Sequence, residues 1–385
     1  MFFTKSRWRY RWLLTLVLVF GVFLTACSSA SSSTTSSTTA VKSSAKASTV
    51  GLKTGWIFDG SIHDHGYDEQ FYNALVSLEK HLGIKATYVQ NEPYTSQWTT
   101  TDMSMAASGA KILFDPGDGG TLFYKACEKL PSVACIEANG VTPFPSSNIA
   151  TVYSKNWLVS YLEGEAAGLL SKNGVIGFLA AFPDTPAPVM ETVNALVLGC
   201  QATHPGCRAL VDYVNSWYNP PVETADLNAL VDAGAQVLAS TQNDPTTIEV
   251  AQKRGVWGIA NWITSDAVGV ADGPDAFVTG QLINYEPVLA KLVKDYVNGK
   301  FPSGAIELAG FHSGMKLAAW GPKVPQSVQT KVDATYKQML SGKNFFCGPI
   351  YSNTNKLMVP AGKCMSTIQI YEHWNWYVRG ISISK

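Results

Sequence analysis

Four segments that each follow a predicted strand carry the side chains best suited to chemistry. The first, residues 59–67, holds the carboxylate of Asp64 and the flat ring of Tyr67 directly before a predicted helix. Its side chains and backbone amides could therefore face a ligand. The second, residues 114–120, places Asp115 among glycines that allow close approach of the backbone to a ligand. Turns use the same glycines, so this segment also has a purely structural explanation.

The other two segments offer an aromatic ring and an amide beside a carboxylate. Residues 214–218 end a predicted strand with Trp217, an aromatic side chain rather than a turn former. Residues 242–245 place Asn243 and Asp244 at the start of a predicted helix. Both segments have simpler roles that the sequence leaves open. A carboxylate before a proline is typical of a helix N-cap, and a single aromatic ring is typical of core or surface packing.

Catalytic chemistry has little support in the sequence. His63 and His65 flank Asp64 and could suggest a metal or acid–base site, but solvated histidines on a glycine-containing loop explain them more simply. The sequence contains no Gly-x-Ser-x-Gly elbow, His-Glu-x-x-His helix or Walker-type phosphate loop. A hydrolase that acts through Asp59, Asp64 and Asp115 stays as a minor alternative. We expect a protein that is not an enzyme and has no catalytic residue, metal or cofactor.

The elements that position these segments alternate between strand and helix patterns. TGWIFDG, KATYVQN, KILFD and VACIEAN have the short apolar pattern of strands, and YDEQFYNALVSLEKHLG has the apolar spacing of a helix that stops at Gly83. The alternation restarts at GVIGFLAA, which predicts a second sheet. The pattern indicates an α/β fold with parallel sheets flanked by helices. Two such lobes leave a cleft beyond the carboxyl ends of their strands, where ligands bind in open parallel sheets.

The N-terminal region has the pattern of an export signal. Four basic residues among the first eleven precede the apolar run LLTLVLVFGVFL, which is too short to span about 30 Å of hydrocarbon. The following LTAC, which ends at Cys27, resembles the lipobox of bacterial lipoproteins and implies lipidation of that cysteine. We expect a signal peptide at residues 1–26 and a flexible Ser/Thr-rich linker at residues 27–52. An ordinary signal peptide with a chance cysteine is the alternative.

The composition of the 385 residues narrows the classes of function. Apolar residues make up 46% and charged residues 15%, and 29 basic side chains balance 29 acidic ones. This balance predicts neither a basic patch for nucleic acid nor an acidic tail. The apolar runs that follow the signal segment are all too short for a membrane-spanning helix, so we expect a body that is not embedded in the membrane.

Six cysteines besides Cys27 fall into near pairs along the chain. An exported chain supports disulfides, and short-range pairing is the simplest of the possible connectivities. A metal site is the weaker alternative, because no pair has the two-residue spacing typical of zinc ligands and no histidine lies beside a pair. The expected disulfides are Cys127 with Cys135, Cys200 with Cys207, and Cys347 with Cys364.

From about Thr54 to its end the chain resembles the basic membrane protein family of substrate-binding lipoproteins, the purine or purine-nucleoside receptors of ABC importers. The most specific stretches are VIGFLAAFPDTP, VNSWYNPPVETADLNALVDAGAQVL, GPIYSNTNKLMVPAGK and NWYVRGI. The resemblance implies a two-lobed type I periplasmic-binding-protein fold. We expect lobe 1 to comprise residues 53–172 and 277–306, and lobe 2 to comprise residues 173–276 and 307–385.

The resemblance also implies a binding site. In the family a base lies between two aromatic rings, and the matching positions here are Tyr67 and Trp217. Stacking on an aromatic face contributes about 1–3 kcal/mol per base, which suits such a sandwich. Asp64, Asn243 and Asp244 would then supply directional hydrogen bonds to the ring.

The chain departs from the family pattern at two positions that bear on the ligand. Nucleoside binders often hold ribose with a carboxylate pair where this chain has Asn261 and Trp262, and an indole cannot accept a hydrogen bond. Tyr67 also replaces a tryptophan. Phe182, in an Ala-Ala-Phe-Pro turn, would line the cleft wall, and Trp262 would border the ligand. These departures favour a free base over a nucleoside and leave another flat heterocycle open.

The expected function is therefore capture of a small planar ligand by a lipid-anchored, extracytoplasmic protein that delivers it to the permease of an ABC importer. We expect a monomer that does not bind nucleic acid. Two alternatives stay open at this point: a receptor of the same fold that signals instead of feeding an importer, and an exported hydrolase that acts on nucleosides.

Overall fold

A computed structural model describes residues 48–140, 142–183 and 186–384 of the chain. The predicted signal peptide, Cys27 and most of the predicted linker lie outside these residues. No helix of the described ranges is long and apolar enough to cross a membrane.

The strands and helices of the described residues are numbered in chain order. The strands are β1 (Lys53–Ile57), β2 (Lys85–Val89), β3 (Ile112–Asp115), β4 (Ala134–Ala138), β5 (Ile149–Ser154), β6 (Val175–Ala180), β7 (Arg208–Tyr213), β8 (Val237–Ser240), β9 (Trp257–Ala260), β10 (Phe277–Ile283), β11 (Ile306–Ala309), β12 (Met315–Leu317), β13 (Ile350–Tyr351), β14 (Leu357–Val359) and β15 (Ile381–Ile383). The helices are α1 (Tyr67–Leu82), α2 (Ser96–Ala107), α3 (Thr121–Lys129), α4 (Asn156–Leu170), α5 (Glu191–Thr203), α6 (Pro220–Asp232), α7 (Thr246–Arg254), α8 (Asp266–Asp272), α9 (Glu286–Val297), α10 (Gln326–Leu340) and α11 (Thr367–His373), and a short π-helix spans Pro186–Met190.

Two largely parallel sheets carry the architecture. The first has the order β11-β5-β4-β3-β1-β2, with every neighbouring pair parallel. The second has the order β12-β10-β9-β8-β6-β7-β15, and its pair β10–β12 is antiparallel. The predicted fold of parallel sheets flanked by helices is therefore confirmed.

Both sheets repeat one strand order, and this order indicates where a ligand binds. β2-β1-β3-β4-β5 in the first sheet corresponds to β7-β6-β8-β9-β10 in the second. β1 has β2 on one side and β3 on the other, and β6 has β7 on one side and β8 on the other. Each sheet therefore has a switch point beside its first strand, where successive connections leave in opposite directions across the sheet. The loops at the carboxyl ends of the strands on either side of such a switch point diverge and leave a crevice. The loops after β1, β3, β6 and β8 are therefore the natural place for a site.

The division of the chain between the sheets differs from the expectation in one respect. We expected residues 277–306 in lobe 1, but β10 pairs with β9 and β12 of the second sheet. All seven β10 residues are buried, as a central strand covered on both faces requires. β11, most of which was expected in lobe 2, pairs with β5 of the first sheet. The chain therefore crosses from the second sheet to the first after β10 and returns to the second sheet after β11.

Helix α1 begins and ends where its sequence favours. Asp64 caps its start, with Oδ1 accepting from the backbone N–H groups of Gly66 and Glu69 at 2.8 and 3.1 Å and Oδ2 accepting from Asp68 at 3.0 Å. At the other end Gly83 adopts a left-handed conformation with φ 69° and donates its N–H to Glu79 O. The predicted helix stop at Gly83 is confirmed.

Helix α4, which links the two sheets, packs closely against α5 at two glycines. A Cβ atom on Gly164 would lie 1.9 Å from Leu196 O, and one on Gly199 would lie 1.9 Å from Tyr161 O. Only glycine allows the two backbones to approach this closely. The contact holds the connection between the lobes against the second sheet.

The three predicted disulfides are confirmed. Cys127 of α3 is bonded to Cys135 of β4, and Cys200 of α5 is bonded to Cys207 just before β7. The third bond, between Cys347 and Cys364, closes the base of the β13–β14 hairpin. Each disulfide links segments that are adjacent in the sequence, as the short spacing predicted.

Candidate functional site

A narrow cavity lies where the carboxyl ends of the strands of both sheets face each other. It holds about 270 Å³ of empty space, part of it open to solvent. Loops from both lobes supply its wall: those after β1 to β4 in the first sheet and those after β6 to β9 in the second. The lining residues are Asp59, Tyr67, Tyr94, Pro116, Gly117, Asp118, Asn139, Pro188, Trp217, Asn243 and Trp262.

Four aromatic rings line the cavity: Tyr67 and Tyr94 from the first lobe, and Trp217 and Trp262 from the second. Tyr67 and Trp262 contact each other directly, with ring centroids 5.2 Å apart and an interplanar angle of 59°. The sequence led us to pair Tyr67 with Trp217, and the structure places both rings on the cavity wall with Trp262 beside Tyr67. Such rings provide flat apolar faces for a planar ligand.

Two carboxylates line the same cavity, and neither belongs to the expected binding set. Burial raises the pKa of Asp59 to about 6 and that of Asp118 to about 7, and the two groups repel each other. Their polar neighbours are neutral, because Asn139 hydrogen-bonds Asp118 and the Tyr94 side chain lies beside Asp59. Among the described residues that line the cavity there is no lysine, arginine or histidine to pair with these two carboxyl groups.

The expected carboxylates Asp64 and Asp115 lie outside the cavity wall. Asp64 uses both oxygens to cap α1 and borders a larger outer opening. Asp115 is buried below the cavity, where its Oδ2 accepts a hydrogen bond from Gly119 N at 2.9 Å, and burial raises its pKa. Asp118 lies in the glycine-rich loop after β3, so the sequence placed it near the expected site. The local sequence does not determine which carboxylate of that loop points into the cavity.

The outer opening joins the cavity to the surface. It shares Asp59, Tyr94, Trp217 and Asn243 with the cavity and has about 1410 Å³ of empty space, part of it open to solvent. Phe182 lies here, with its ring edge-to-face on Trp217 at a centroid distance of 5.5 Å. Phe182 therefore stands at the entrance rather than on the cavity wall.

A third space of about 320 Å³ adjoins the cavity on the other side of Trp262. Asp244 borders this space; its Oδ1 accepts from Thr246 N at 2.8 Å as a cap of α7, and its carboxyl group lies beside that of Glu223. The Asn261 side chain, Gln242 Oε1 and Trp262 Nε1 also line it without partners within the protein. The space is therefore bordered by polar side-chain atoms that lack hydrogen-bond partners within the described residues.

Asn243 and Asn139 hold polar groups at fixed positions on opposite sides of the cavity. The Asn243 backbone N–H donates to Trp217 O at 3.0 Å, which ties the two cavity residues together. Asn139 adopts a positive φ of 63° and donates from Nδ2 to the Tyr67 hydroxyl at 3.3 Å. Asn139 was not expected from the sequence.

A two-lobed α/β fold whose post-strand loops enclose one cavity is the architecture of the solute-binding proteins of ABC transporters. A solute-binding protein of an ABC transporter system from Conexibacter woesei has this fold, with a TM-score of 0.59 and 21% identity over 76% of this chain and 97% of that one.

Residues 52–315 match the family described as ABC transporter substrate-binding protein PnrA-like, and the chain belongs to this family. It is 26% identical to a purine-binding protein of Brucella abortus over 86% of this chain and 93% of that protein. It is 25% identical to a putative ABC transporter glucose-binding protein of Haloferax volcanii, over 75% and 72% of the two chains. The expectation of a substrate-binding protein rather than an enzyme is thus confirmed.

Proposed function

We propose that this protein is a lipid-anchored, extracytoplasmic receptor that captures a free purine base in the interlobe cavity and delivers it to the permease of an ABC importer. The observation that carries the proposal is the group of four aromatic rings from opposing lobes around one cavity that two aspartates and two asparagines also line. The similarity to the purine-binding protein of Brucella abortus supports the same ligand class.

The position of Trp262 favours a base over a nucleoside. Trp262 lines both the cavity and the polar space behind it, so its ring stands between the two. A sugar that extended from a bound base towards the polar space would meet this ring.

The polar groups of the cavity suit the edge of a purine ring. Asp59, Asp118 and Asn139 line the first-lobe side, and Asn243 lines the second-lobe side with 7% of its surface exposed. Carboxylates accept hydrogen bonds from ring or exocyclic N–H groups, and amides both donate and accept. Stacking would then supply affinity and these groups would supply orientation.

A thermal-shift panel with the purified protein tests the proposal. It compares adenine, guanine, hypoxanthine and xanthine with their nucleosides at equal concentration. A ligand at about 100 times its Kd adds about 2.7 kcal/mol to the free energy of unfolding, which gives a visible rise in Tm. We expect at least one free base to raise Tm and its nucleoside to have a much smaller effect.

The panel separates the parts of the proposal. Equal shifts with bases and nucleosides would show that Trp262 does not exclude a sugar, and the preference for a free base would then be wrong. No shift with any purine would contradict the purine assignment itself.

A further inference from the structure

The charge of the interlobe cleft is one-sided although the whole chain is neutral. The sequence has 29 basic and 29 acidic side chains. Among the described residues, the cavity, the outer opening and the space behind Trp262 are lined by six aspartates and by no lysine or arginine. The six are Asp59, Asp64, Asp68, Asp118, Asp244 and Asp272.

This distribution creates a negative potential where a ligand enters. A cleft with charge of one sign and low-dielectric walls focuses the electric field and raises the local concentration of oppositely charged molecules. His63 and His65 are the only lining side chains in the described residues that can become positive; both border the outer opening, and His65 also borders the space behind Trp262. A neutral or cationic ligand therefore enters more readily than an anionic one.

The inner cavity combines two features that attract a cation. Asp59 and Asp118 lie on the first-lobe side, and four aromatic rings surround the remaining space. The faces of tryptophan and tyrosine rings carry negative charge density and attract cations, most strongly where water is excluded. Rings alone would suit any flat ligand, but rings beside two carboxylates with neutral neighbours suit a positively charged one.

One unpartnered buried atom of the cavity wall points to a hydrogen-bond acceptor on the ligand. Trp262 lines the cavity and is 6% exposed, and its Nε1–H has no hydrogen-bond partner within the described residues. Leaving a buried polar atom unpaired costs free energy, which a ligand with an acceptor atom would recover.

We propose that the ligand of this cavity is a heteroaromatic cation: a flat nitrogen-containing ring that carries a positive charge between the aromatic faces and beside Asp59 and Asp118. The inference rests on the proposed function, because it takes the interlobe cavity as the site of a planar solute. It goes further by assigning a positive charge to that solute: the free bases of the thermal-shift panel carry no positive charge at pH 7, so a cationic ring should bind more tightly than any of them. A cation beside Asp59 and Asp118 stabilises the ionised forms of both carboxyl groups, which repel each other when a neutral base is bound.

A matched pair of purines tests the charge and keeps the ring constant. 7,9-Dimethyladeninium is permanently cationic and 9-methyladenine is neutral at pH 7, and isothermal titration calorimetry measures both with the purified protein. We expect the cation to bind at least tenfold more tightly, with an affinity that falls as NaCl rises from 50 to about 500 mM. A second pair, 1-methylnicotinamide and nicotinamide, repeats the comparison without a purine.

The outcomes distinguish this inference from the proposed function. If 9-methyladenine binds as tightly as the cation, the inference is overturned and the purine proposal stands. If only 1-methylnicotinamide binds, the inference stands and the purine proposal is wrong. If none of the four compounds binds, the inference is overturned, and the purine proposal is decided by the panel of unsubstituted bases.

Two variants test whether Asp59 and Asp118 cause the preference for a cation. Asp118→Asn and Asp59→Asn should each reduce the cation-to-neutral affinity ratio severalfold towards one. Asp275→Asn serves as the control, because Asp275 is exposed, pairs with Lys323 and does not line the cavity, the outer opening or the space behind Trp262. If a variant fails to fold, the salt dependence of the wild-type protein still decides. Cation affinity that does not change with salt contradicts the electrostatic role.

Discussion

At the scale of single residues, the same residue type serves different purposes a few positions apart. Asp59 lines the cavity, whereas Asp64 caps α1 with both oxygens. Both carboxyl groups have their pKa raised by burial to about 6. The role of each aspartate follows from the atoms that its carboxyl group contacts. Substitutions that keep the hydrogen-bonding oxygen but remove the charge, or that remove both, can therefore distinguish these roles.

Trp217→Ala should weaken binding of the best ligand of the purine panel by at least tenfold. The substitution removes one stacking face, and a face contributes about 1–3 kcal/mol per base, where about 1.4 kcal/mol is tenfold in Kd. Titration calorimetry measures the change. Tyr218→Ala is the matched control, since Tyr218 is the next residue, is 61% exposed and borders the outer opening rather than the cavity. Unchanged affinity in Trp217→Ala would contradict the stacking role.

Asp64 gives a test of capping against ligand contact. Asp64→Ala should lower the free energy of unfolding by about 1–2 kcal/mol, as loss of a helix N-cap does. It should also weaken ligand binding, because α1 starts at Tyr67. Asp64→Asn keeps an acceptor oxygen and should preserve most of both properties, measured by urea unfolding and calorimetry. If Asp64→Asn is stable but loses as much affinity as Asp64→Ala, the carboxylate contacts the ligand directly.

At the scale of elements, α11 connects the two lobes beside the cavity. Its C-terminal neighbour β15 pairs with β7 of the second sheet, and Asn194 of α5 donates to Trp376 O. α11 itself reaches the first lobe, where the Tyr371 hydroxyl donates to Gly140 O at 2.6 Å. Gly140 follows Asn139, which lines the cavity. This segment lies beyond the residues 52–315 that match the family.

Tyr371→Phe should weaken ligand binding by roughly three- to tenfold while the protein stays folded. The ring keeps its packing on Tyr153, at a centroid distance of 4.8 Å. The lost hydrogen bond is worth about 0.5–1.5 kcal/mol, and its loss frees the backbone next to Asn139. Stopped-flow kinetics should show the change mainly in the dissociation rate. Tyr296→Phe on α9 is the control, and an equal effect there would contradict a specific role of α11.

At the scale of the whole molecule, many buried carboxyl groups have no basic partner. Burial raises the pKa of Asp59 and Asp64 to about 6, of Asp118 and Glu223 to about 7, and of Asp102 to about 8. Their ordinary pKa values lie near 4. Between about pH 4 and pH 8 the folded protein therefore binds more protons than the unfolded chain. Stability then falls as pH rises.

The protein should therefore have a higher Tm at pH 5 than at pH 8, which differential scanning fluorimetry can measure. Asp102→Asn should flatten this dependence, because Asp102 is 1% exposed and neither carboxylate oxygen has a hydrogen-bond partner. Asp275→Asn should leave the profile unchanged, since Asp275 is exposed. A Tm that rises from pH 5 to pH 8 would contradict the assigned pKa directions.

The proposed lipid anchor also concerns the whole molecule. Cys27→Ser should move the protein from the membrane fraction to the soluble fraction, because a serine cannot accept the lipid. Immunoblots of fractionated cells measure the distribution. Cys347→Ser combined with Cys364→Ser is the control for loss of cysteines elsewhere. Retention of Cys27→Ser protein on membranes would mean that another segment holds it there.

The sequence by itself determined the features that depend on neighbours along the chain. The alternation of apolar strands and helices predicted two parallel sheets, Gly83 predicted the end of α1, and the close spacing of six cysteines predicted three local disulfides. Hydrophobic periodicity and turn chemistry are local properties, so they can be read directly.

The tertiary structure alone decided which side chains meet. It placed Asp59 and Asp118 on the cavity wall instead of Asp64 and Asp115, and it brought Trp262 against Tyr67. It also assigned β10 to the second sheet. These outcomes depend on contacts between residues far apart in the chain and on the direction of each loop. Backbone conformation in a loop is set by those contacts, which no local pattern of residues encodes.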